Sequence, residues 1–210
     1  MARDWAVWHD EYDDPESGLS RRLAVVQAHL ADALAGRPRG PISLVSLCAG
    51  QGRDVLGVLP GHPRRDDVSA VLVEKDPRNA EVARSRAAQA DLANLQVREA
   101  DAAVVANYAE ALPADVLLLC GIFGNVSEAD IRRTATAAAA MCSPGGTVIW
   151  TRHRRPPDLT PLIRSWFADA GFAEIAFIAL PTAKLTGVGV HRLRAASAGL
   201  PAEPLFTFSG

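Results

Sequence analysis

Ile42-Ser-Leu-Val-Ser-Leu-Cys-Ala-Gly-Gln-Gly-Arg-Asp54 is an apolar, strand-like run that breaks into a tight turn carried by Gly50 and Gly52. Glycine takes up positive φ readily and lets the backbone approach a ligand with no Cβ in the way. A helix starting at Arg53 would turn its unpaired first N–H groups toward the same space. A glycine turn between a strand and a helix is where α/β sheets hold nucleotide-like groups.

Working outward, strands and helices alternate. Ahead of the turn, Leu19, Leu23, Val26, Leu30 and Leu34 recur at helical spacing, which predicts a helix from Ser17 to Ala35 that Gly36-Arg-Pro-Arg-Gly-Pro41 stops. Behind it, a short helix ends at Pro60, and Ala70-Val-Leu-Val-Glu74 reads as the second strand. Asp76 caps a helix with Pro77 in its first turn, where a missing N–H costs nothing. A third strand is expected over Leu95–Glu99, a helix over Ala103–Leu112, and a fourth strand at Val116-Leu-Leu-Leu-Cys120, apolar throughout as a central parallel strand should be. Ser127 and Asp130 resemble a capping box for a helix over Glu128–Met141. Ser143-Pro-Gly-Gly146 turns into Thr147-Val-Ile-Trp150, a helix starts at Thr160-Pro161 and ends at Gly171, and Phe172–Leu180 and Gly187–Leu193 close the chain as an antiparallel pair. Strands separated by helices argue for a parallel sheet covered on both faces.

The chain's 210 residues and 22.3 kDa suit a single domain. Within it we distinguish an N-terminal aromatic segment and helix (1–41), a core (42–194) and a tail (195–210). The net charge of -2 and pI of 6.2 give no electrostatic reason to expect nucleic acid. No apolar run approaches the roughly 18 residues of a membrane span, and the N-terminus has no signal-peptide core. Cys48, Cys120 and Cys142 are odd in number and lack metal-type spacing, so no metal and a reduced, cytoplasmic setting are expected. Monomer and homodimer are both open.

Four features fall at the carboxyl ends of successive strands: the Gly50/Gly52 turn, Glu74, Asp101, and the turn Cys120-Gly-Ile-Phe-Gly-Asn125. A carboxylate at Glu74 can accept hydrogen bonds from both hydroxyls of a ribose. Asp101, beside the Ala102 amide, can accept from adenine N6 while the amide donates to N1. Glu74 or Asp101 taken alone reads as a solvated acid. The four together point to an adenosine-type ligand.

On these residues the chain resembles the class I S-adenosylmethionine-dependent methyltransferases. The resemblance spans about Ile42 to Leu193 and is carried by Leu47-Cys-Ala-Gly-Gln-Gly52, Val73-Glu-Lys-Asp-Pro77, Glu99-Ala-Asp-Ala102, Ala114-Asp-Val-Leu-Leu-Leu-Cys-Gly121 and Pro144-Gly-Gly-Thr147. It implies a Rossmann-like, doubly wound seven-stranded sheet in the order 3-2-1-4-5-7-6, the seventh strand antiparallel, with an added N-terminal helix. It implies S-adenosylmethionine as cofactor, with S-adenosylhomocysteine as product. Gly50 and Gly52 would contact the methionine moiety, Glu74 the ribose, and Asp101 with Ala102 the adenine; Cys48, Ala49, Lys75 and Cys120 complete the candidate cofactor residues. Two positions depart from the family: Ser46 stands where an acid is usual, and Cys48 where a further glycine is usual. Asp54 or Asn125 would then stand in for the missing acid. Cys48 and Cys120, ending neighbouring strands, read as small packing residues.

Methyl transfer is an in-line displacement, so positioning and exclusion of water dominate, and a base is needed only if the acceptor must lose a proton. His153, at the end of the fifth strand, is the candidate base; His191 and His9 read as hydrogen-bonded structural residues. Arg152, Arg154 and Arg155 form either a solvated turn or a site in which one of them receives a substrate carboxylate. Trp8 and Tyr12, with Trp5, form either core or a lid over the acceptor. Trp8, Tyr12, Asn125, Arg152 and His153 are thus the candidate acceptor residues. The absence of an Asn-Pro-Pro-Tyr-type run after the fourth strand favours a small-molecule acceptor, methylated on O or N, in an enzyme of the EC 2.1.1 class. Two readings compete: a nicotinamide-dependent oxidoreductase, whose third fingerprint glycine is replaced by Val55, and a non-catalytic domain that has lost its cofactor. Replacing Glu74 or Asp101 by alanine is expected to weaken cofactor binding and leave the fold intact.

Overall fold

The computed structural model describes residues 12, 14, 16–181, 185–195 and 199–208. Its centre is a seven-stranded sheet in the order β3-β2-β1-β4-β5-β7-β6. The strands are β1 (Ile42–Leu47), β2 (Val68–Glu74), β3 (Leu95–Glu99), β4 (Ala114–Leu119), β5 (Cys142–His153), β6 (Phe172–Leu180) and β7 (Thr186–Leu193). Strands β1 to β5 pair in parallel, and β7 runs antiparallel to both β5 and β6. The helices are α1 (Gly18–Ala35), α2 (Arg53–Leu56), α3 (Pro77–Gln89), α4 (Glu128–Met141) and α5 (Thr160–Asp169).

The central strands are apolar on both sides because each face of the sheet carries its own core. On one face Leu30 and Leu34 of α1 pack with Leu44, Leu72, Leu118 and Ile149. On the other, Ile131 of α4 and Phe167 of α5 join Val45, Leu117, Leu119, Phe123 and Trp150. Gly189 of β7 makes room for the indole of Trp150: a Cβ there would stand 2.2 Å from Cε2. His191 lies in the same cluster, stacked on Trp150 and Phe167 with neither ring nitrogen hydrogen-bonded. It is structural, but by stacking rather than through the expected hydrogen bonds.

The helix starts follow the local sequence. Ser17, Asp76 and Ser127 each accept a backbone N–H in the first turn of α1, α3 and α4. The capping box at Ser127 is half formed. Asp130 donates its N–H to Ser127 Oγ, but its carboxylate accepts from Arg133 and from the backbone N–H of Thr207 instead of returning to the cap. Leu205 is tied down as well, its carbonyl accepting from Arg133 and Thr134 and its N–H donating to Ala103. These bonds strap the C-terminal segment across the end of α4.

Two other expectations need correction. The helix expected over Ala103–Leu112 is two short 3₁₀ turns, Val105–Asn107 and Ala109–Ala111. Asn107 spends its side chain on the Asp101 carbonyl, Arg98 takes the Asn107 carbonyl, and Pro113 disfavours the α region at Leu112. The fifth strand is longer than expected, from Cys142 to His153; the Ser143–Gly146 turn is a bulge inside it, between the Ala114–Cys142 and Val116–Thr147 pairs.

Among the described residues no helix is long and apolar enough to cross a membrane. Cys48, Cys120 and Cys142 carry free thiols. No group of three or more metal-binding side chains gathers among the described residues.

Candidate functional site

A cavity of about 860 Å³ opens at the carboxyl ends of β1, β2, β3, β4 and β5. It brings together Tyr12, Cys48, Ala49, Gly50, Asp54, Glu74, Lys75, Asp101, Ala102, Cys120, Asn125, Arg152 and His153. Among the described residues, every candidate cofactor and acceptor residue except Gly52 therefore lines one cavity. Trp8 and His9 lie outside the described residues. Gly52 is turned into the core instead: with φ of 68° it precedes α2, and a Cβ there would meet Leu72 at 2.8 Å and Leu56 at 2.9 Å. Its glycine is needed for packing and turn geometry, not for contact with a ligand.

The turn is built around Glu74. One carboxylate oxygen accepts from the Gly50 amide at 2.7 Å and the other from the Asp76 amide at 2.8 Å. Burial pushes this carboxyl up, while those two amides pull it back. Glu74 thus pins the glycine turn to the end of β2, so its replacement by alanine would remove two hydrogen bonds that shape the turn. The carboxylate's remaining acceptor capacity is open to a ligand hydroxyl.

Cys48, at the position usually held by glycine, has φ of 52°. The left-handed backbone of the turn is preserved, and a side chain has been accommodated on it. Burial pushes the Cys48 thiol well above its ordinary value, as it does that of Cys120. Neither is a ready nucleophile.

Asp101 holds Lys75 at 2.8 Å and accepts the Ala103 amide at 3.0 Å. The Lys75 hydrogen bond holds its carboxyl below the ordinary range. The lysine side chain is exposed, so this pair sits at the cavity rim and is easily rearranged.

Asp54, at the start of α2, is 8% exposed. Its Oδ1 accepts the adjacent Val55 amide, at 2.9 Å. Burial pushes its carboxyl up to about 6, against the pull of that amide and of Arg22. Ser46, the position where an acid is usual, is buried in the sheet with its hydroxyl unpartnered and does not line the cavity. Of the two alternatives for the missing acid, Asn125 is partly committed: its Nδ2 donates to the Gly121 carbonyl at 2.8 Å and closes the Gly121–Asn125 turn. Thr151 fixes the other side of that turn by accepting the Gly121 amide.

Arg152 is not part of a solvated turn. It lies inside β5, is 8% exposed, and donates from Nη1 to the Phe123 carbonyl. His153 ends the strand with Nδ1 buried and unpartnered, and burial, then Arg152 and Arg155, hold its imidazole below its ordinary value. It is therefore neutral at pH 7. Arg154 pairs with Asp158 outside the cavity wall.

Several lining residues escaped the sequence reading. Arg22 of α1 reaches the cavity and donates to the Tyr12 hydroxyl, and the Arg53 guanidinium stands 5.4 Å from the centre of the Tyr12 ring. The signal for Arg22 was its place between Leu19, Leu23 and Val26, which line the same cavity. Phe208 has no local signal; the strap carries it to the cavity by pairing with Val126.

No family model matches the sequence, and no curated protein matches it significantly. Solved structures do resemble the fold. An O-methyltransferase family protein from Burkholderia thailandensis superposes with a TM-score of 0.61 at 18% identity, over 82% of this chain and 57% of that one. An O-methyltransferase family 2 protein from Planctomyces limnophilus, in complex with apigenin, gives 0.56 at 19% identity, over 82% of this chain and 61% of that one. An RNA methyltransferase from Salinibacter ruber, in complex with S-adenosyl-L-homocysteine, gives 0.52 at 19% identity, over 86% and 96%. The chain thus spans less than two thirds of the two O-methyltransferase family proteins. In strand order, strand direction and helix placement, this chain has the seven-stranded Rossmann-like fold of the class I methyltransferases.

Proposed function

We propose that the protein is an S-adenosylmethionine-dependent methyltransferase acting on an O or N atom of a small molecule. The observation that carries this reading is the set of carboxylates along one wall of the cavity. Glu74 ends β2, and Asp101 and the buried Asp54 follow β3 and β1, in an order and polarity suited to a ligand with a ribose, an adenine and a cationic amino group. Glu74 would accept the ribose hydroxyls. Asp101 with the Ala102 amide would read the adenine, Lys75 moving aside. Asp54 would pair with the amino group, in place of the acid that Ser46 lacks. Ala49, Gly50, Cys48 and Cys120 would supply the close walls of the methionine end.

When bound, the cofactor supplies an electrophilic methyl group on a sulfonium. The chain's own task is to place the acceptor in line with that methyl and keep water out. Tyr12, Asn125 and Arg152 would orient the acceptor. His153, neutral at pH 7 and with Nδ1 buried, would take up the acceptor's proton on Nε2. The slightly negative net charge favours a small acceptor over a nucleic acid.

Calorimetric titration with S-adenosylmethionine and, separately, NAD tests the reading. Saturable one-to-one binding of the first alone supports it. Binding of NAD alone would favour the oxidoreductase reading, and binding of neither a domain that keeps the fold without the cofactor.

A further inference from the structure

The charges on the cavity wall are unevenly divided. Its four carboxylates, Asp54, Glu74, Asp76 and Asp101, all stand at or just after the ends of β1, β2 and β3, where Arg22, Arg53, Lys75 and Arg78 also line the wall. From Cys120 onward no lining residue carries a negative charge, and Arg152, His153 and Arg155 stand there together. With His153 held neutral, the fixed charge at that end is positive.

Arg152 is the informative member. It is more than nine-tenths buried, its Nε has no hydrogen-bond partner, and its Nη1 donates to an uncharged carbonyl, that of Phe123. It forms no ion pair among the described residues. The two carboxylates whose fields reach it are committed or remote: Asp158 accepts from the Thr160 amide and hydroxyl and pairs with Arg154, while Glu128 sits in the exposed first turn of α4. A buried guanidinium without a counter-charge opposes folding. Keeping one on the wall of a cavity makes physical sense where an anion arrives to complete it.

We infer that the methyl acceptor carries a carboxylate and that Arg152 receives it. One buried guanidinium carries one positive charge and a planar fork of donors, which matches the charge and shape of a single carboxylate. The exposed Arg155 supplies a longer-range attraction at the mouth. The acceptor's nucleophilic atom then lies between this anchor and His153, with Asn125 and Tyr12 beside it. The inference rests on the assignment of the opposite end of the cavity to the cofactor.

The test uses two probe pairs of equal shape: benzoate with benzamide, and acetate with acetamide. Each is titrated into the S-adenosylhomocysteine-saturated protein, with wild type, Arg152→Met and Arg152→Lys compared. In wild type each carboxylate should bind about tenfold or more tighter than its amide, the scale of a charged hydrogen bond. Arg152→Met should abolish that preference and leave S-adenosylhomocysteine affinity within about twofold, and Arg152→Lys should keep only part of it. Arg152→Met should also melt at a higher temperature than wild type in the ligand-free state, because an uncompensated buried charge is gone. Equal binding of acid and amide, no binding of either acid, or a preference that survives Arg152→Met would overturn the inference. So would a less stable or unfolded Met variant, which would make the guanidinium a structural clamp on Phe123. Failure of S-adenosylhomocysteine to bind wild type would instead sink the cofactor assignment; the same acid and amide titrations on the free protein then read the anion preference by itself.

Discussion

Asp54→Asn should make the free protein more stable and a poorer cofactor binder, and the stability gain should depend on pH. The substitution keeps the side chain's shape and the oxygen that accepts the Val55 amide, and replaces the other, charged oxygen by a neutral NH₂. Each pK unit corresponds to about 1.4 kcal/mol. A carboxyl whose pKa rises from 3.8 to about 6 on folding therefore costs the native state about 3 kcal/mol once ionised. The sign follows from proton counting: between these values the native state binds more protons than the unfolded state, so stability falls as pH rises through the window. It is unaffected below 3.8 and constant above about 6. His191 produces the opposite slope over nearly the same range, because burial pulls its imidazole down to about 4 and stability rises with pH up to 6.5. The two trends offset in wild type, so the difference between variant and wild type is what isolates Asp54. Urea unfolding from pH 4 to pH 8 should show Asp54→Asn gaining stability progressively, reaching about 2 to 3 kcal/mol above pH 7. S-Adenosylmethionine affinity should fall about tenfold or more, the loss of a charge-assisted contact. A pH-independent difference, or a destabilised variant with unchanged cofactor affinity, would refute the view of Asp54 as a buried anion awaiting a cation.

The two other cofactor carboxylates should behave differently from each other. Glu74→Gln turns an NH₂ toward one of two backbone donors, so calorimetric melting should report a loss of about 1 to 3 kcal/mol together with weakened cofactor binding. Asp101→Ala removes a rim-exposed ion pair, so stability should change by less than about 1 kcal/mol while cofactor affinity falls; equal stability losses in the two variants would contradict the geometry. Cys48→Gly relieves a left-handed side chain, a strain of about 1 to 2 kcal/mol partly offset by glycine's unfolded-state entropy, so denaturant midpoints should hold or rise slightly, whereas Cys48→Val should lower them. His153 should titrate below its ordinary value in histidine NMR spectra, and Arg155→Gln, by removing a neighbouring positive charge, should move that midpoint upward. Methyl transfer by His153→Ala should be slowed far more than cofactor binding is weakened, and full turnover in that variant would remove the residue from the reaction.

Much of the strand-by-strand architecture was legible because its determinants are local. Fully apolar strands such as Leu117–Leu119 can only be buried on both faces, and Ser17, Asp76 and Ser127 mark helix starts wherever they occur before an amphipathic run. Glu74 and Asp101 were visible as acids at strand ends, which parallel topology gathers at one edge. What was not legible depended on contacts distant in sequence. Asp130 abandons its local capping role for Thr207, and with that bond Phe208 arrives at the cavity from the far end of the chain. The polar Arg-His-Arg-Arg run left Arg152 open between a solvated turn and an acceptor site; pairing of β5 with β7 carries the strand through it and buries the guanidinium. Gly52 shows the converse error. Its turn was correctly placed, but the missing Cβ serves Leu72 and Leu56 behind the turn rather than a ligand in front of it.

A crystal structure of the protein soaked or co-crystallised with S-adenosylhomocysteine tests the central claim most directly. The account predicts the ribose hydroxyls on Glu74, the adenine beside Asp101 and Ala102, and the amino group within hydrogen-bond distance of Asp54. A nucleoside bound elsewhere, or a cavity that stays empty at saturating ligand, would contradict it.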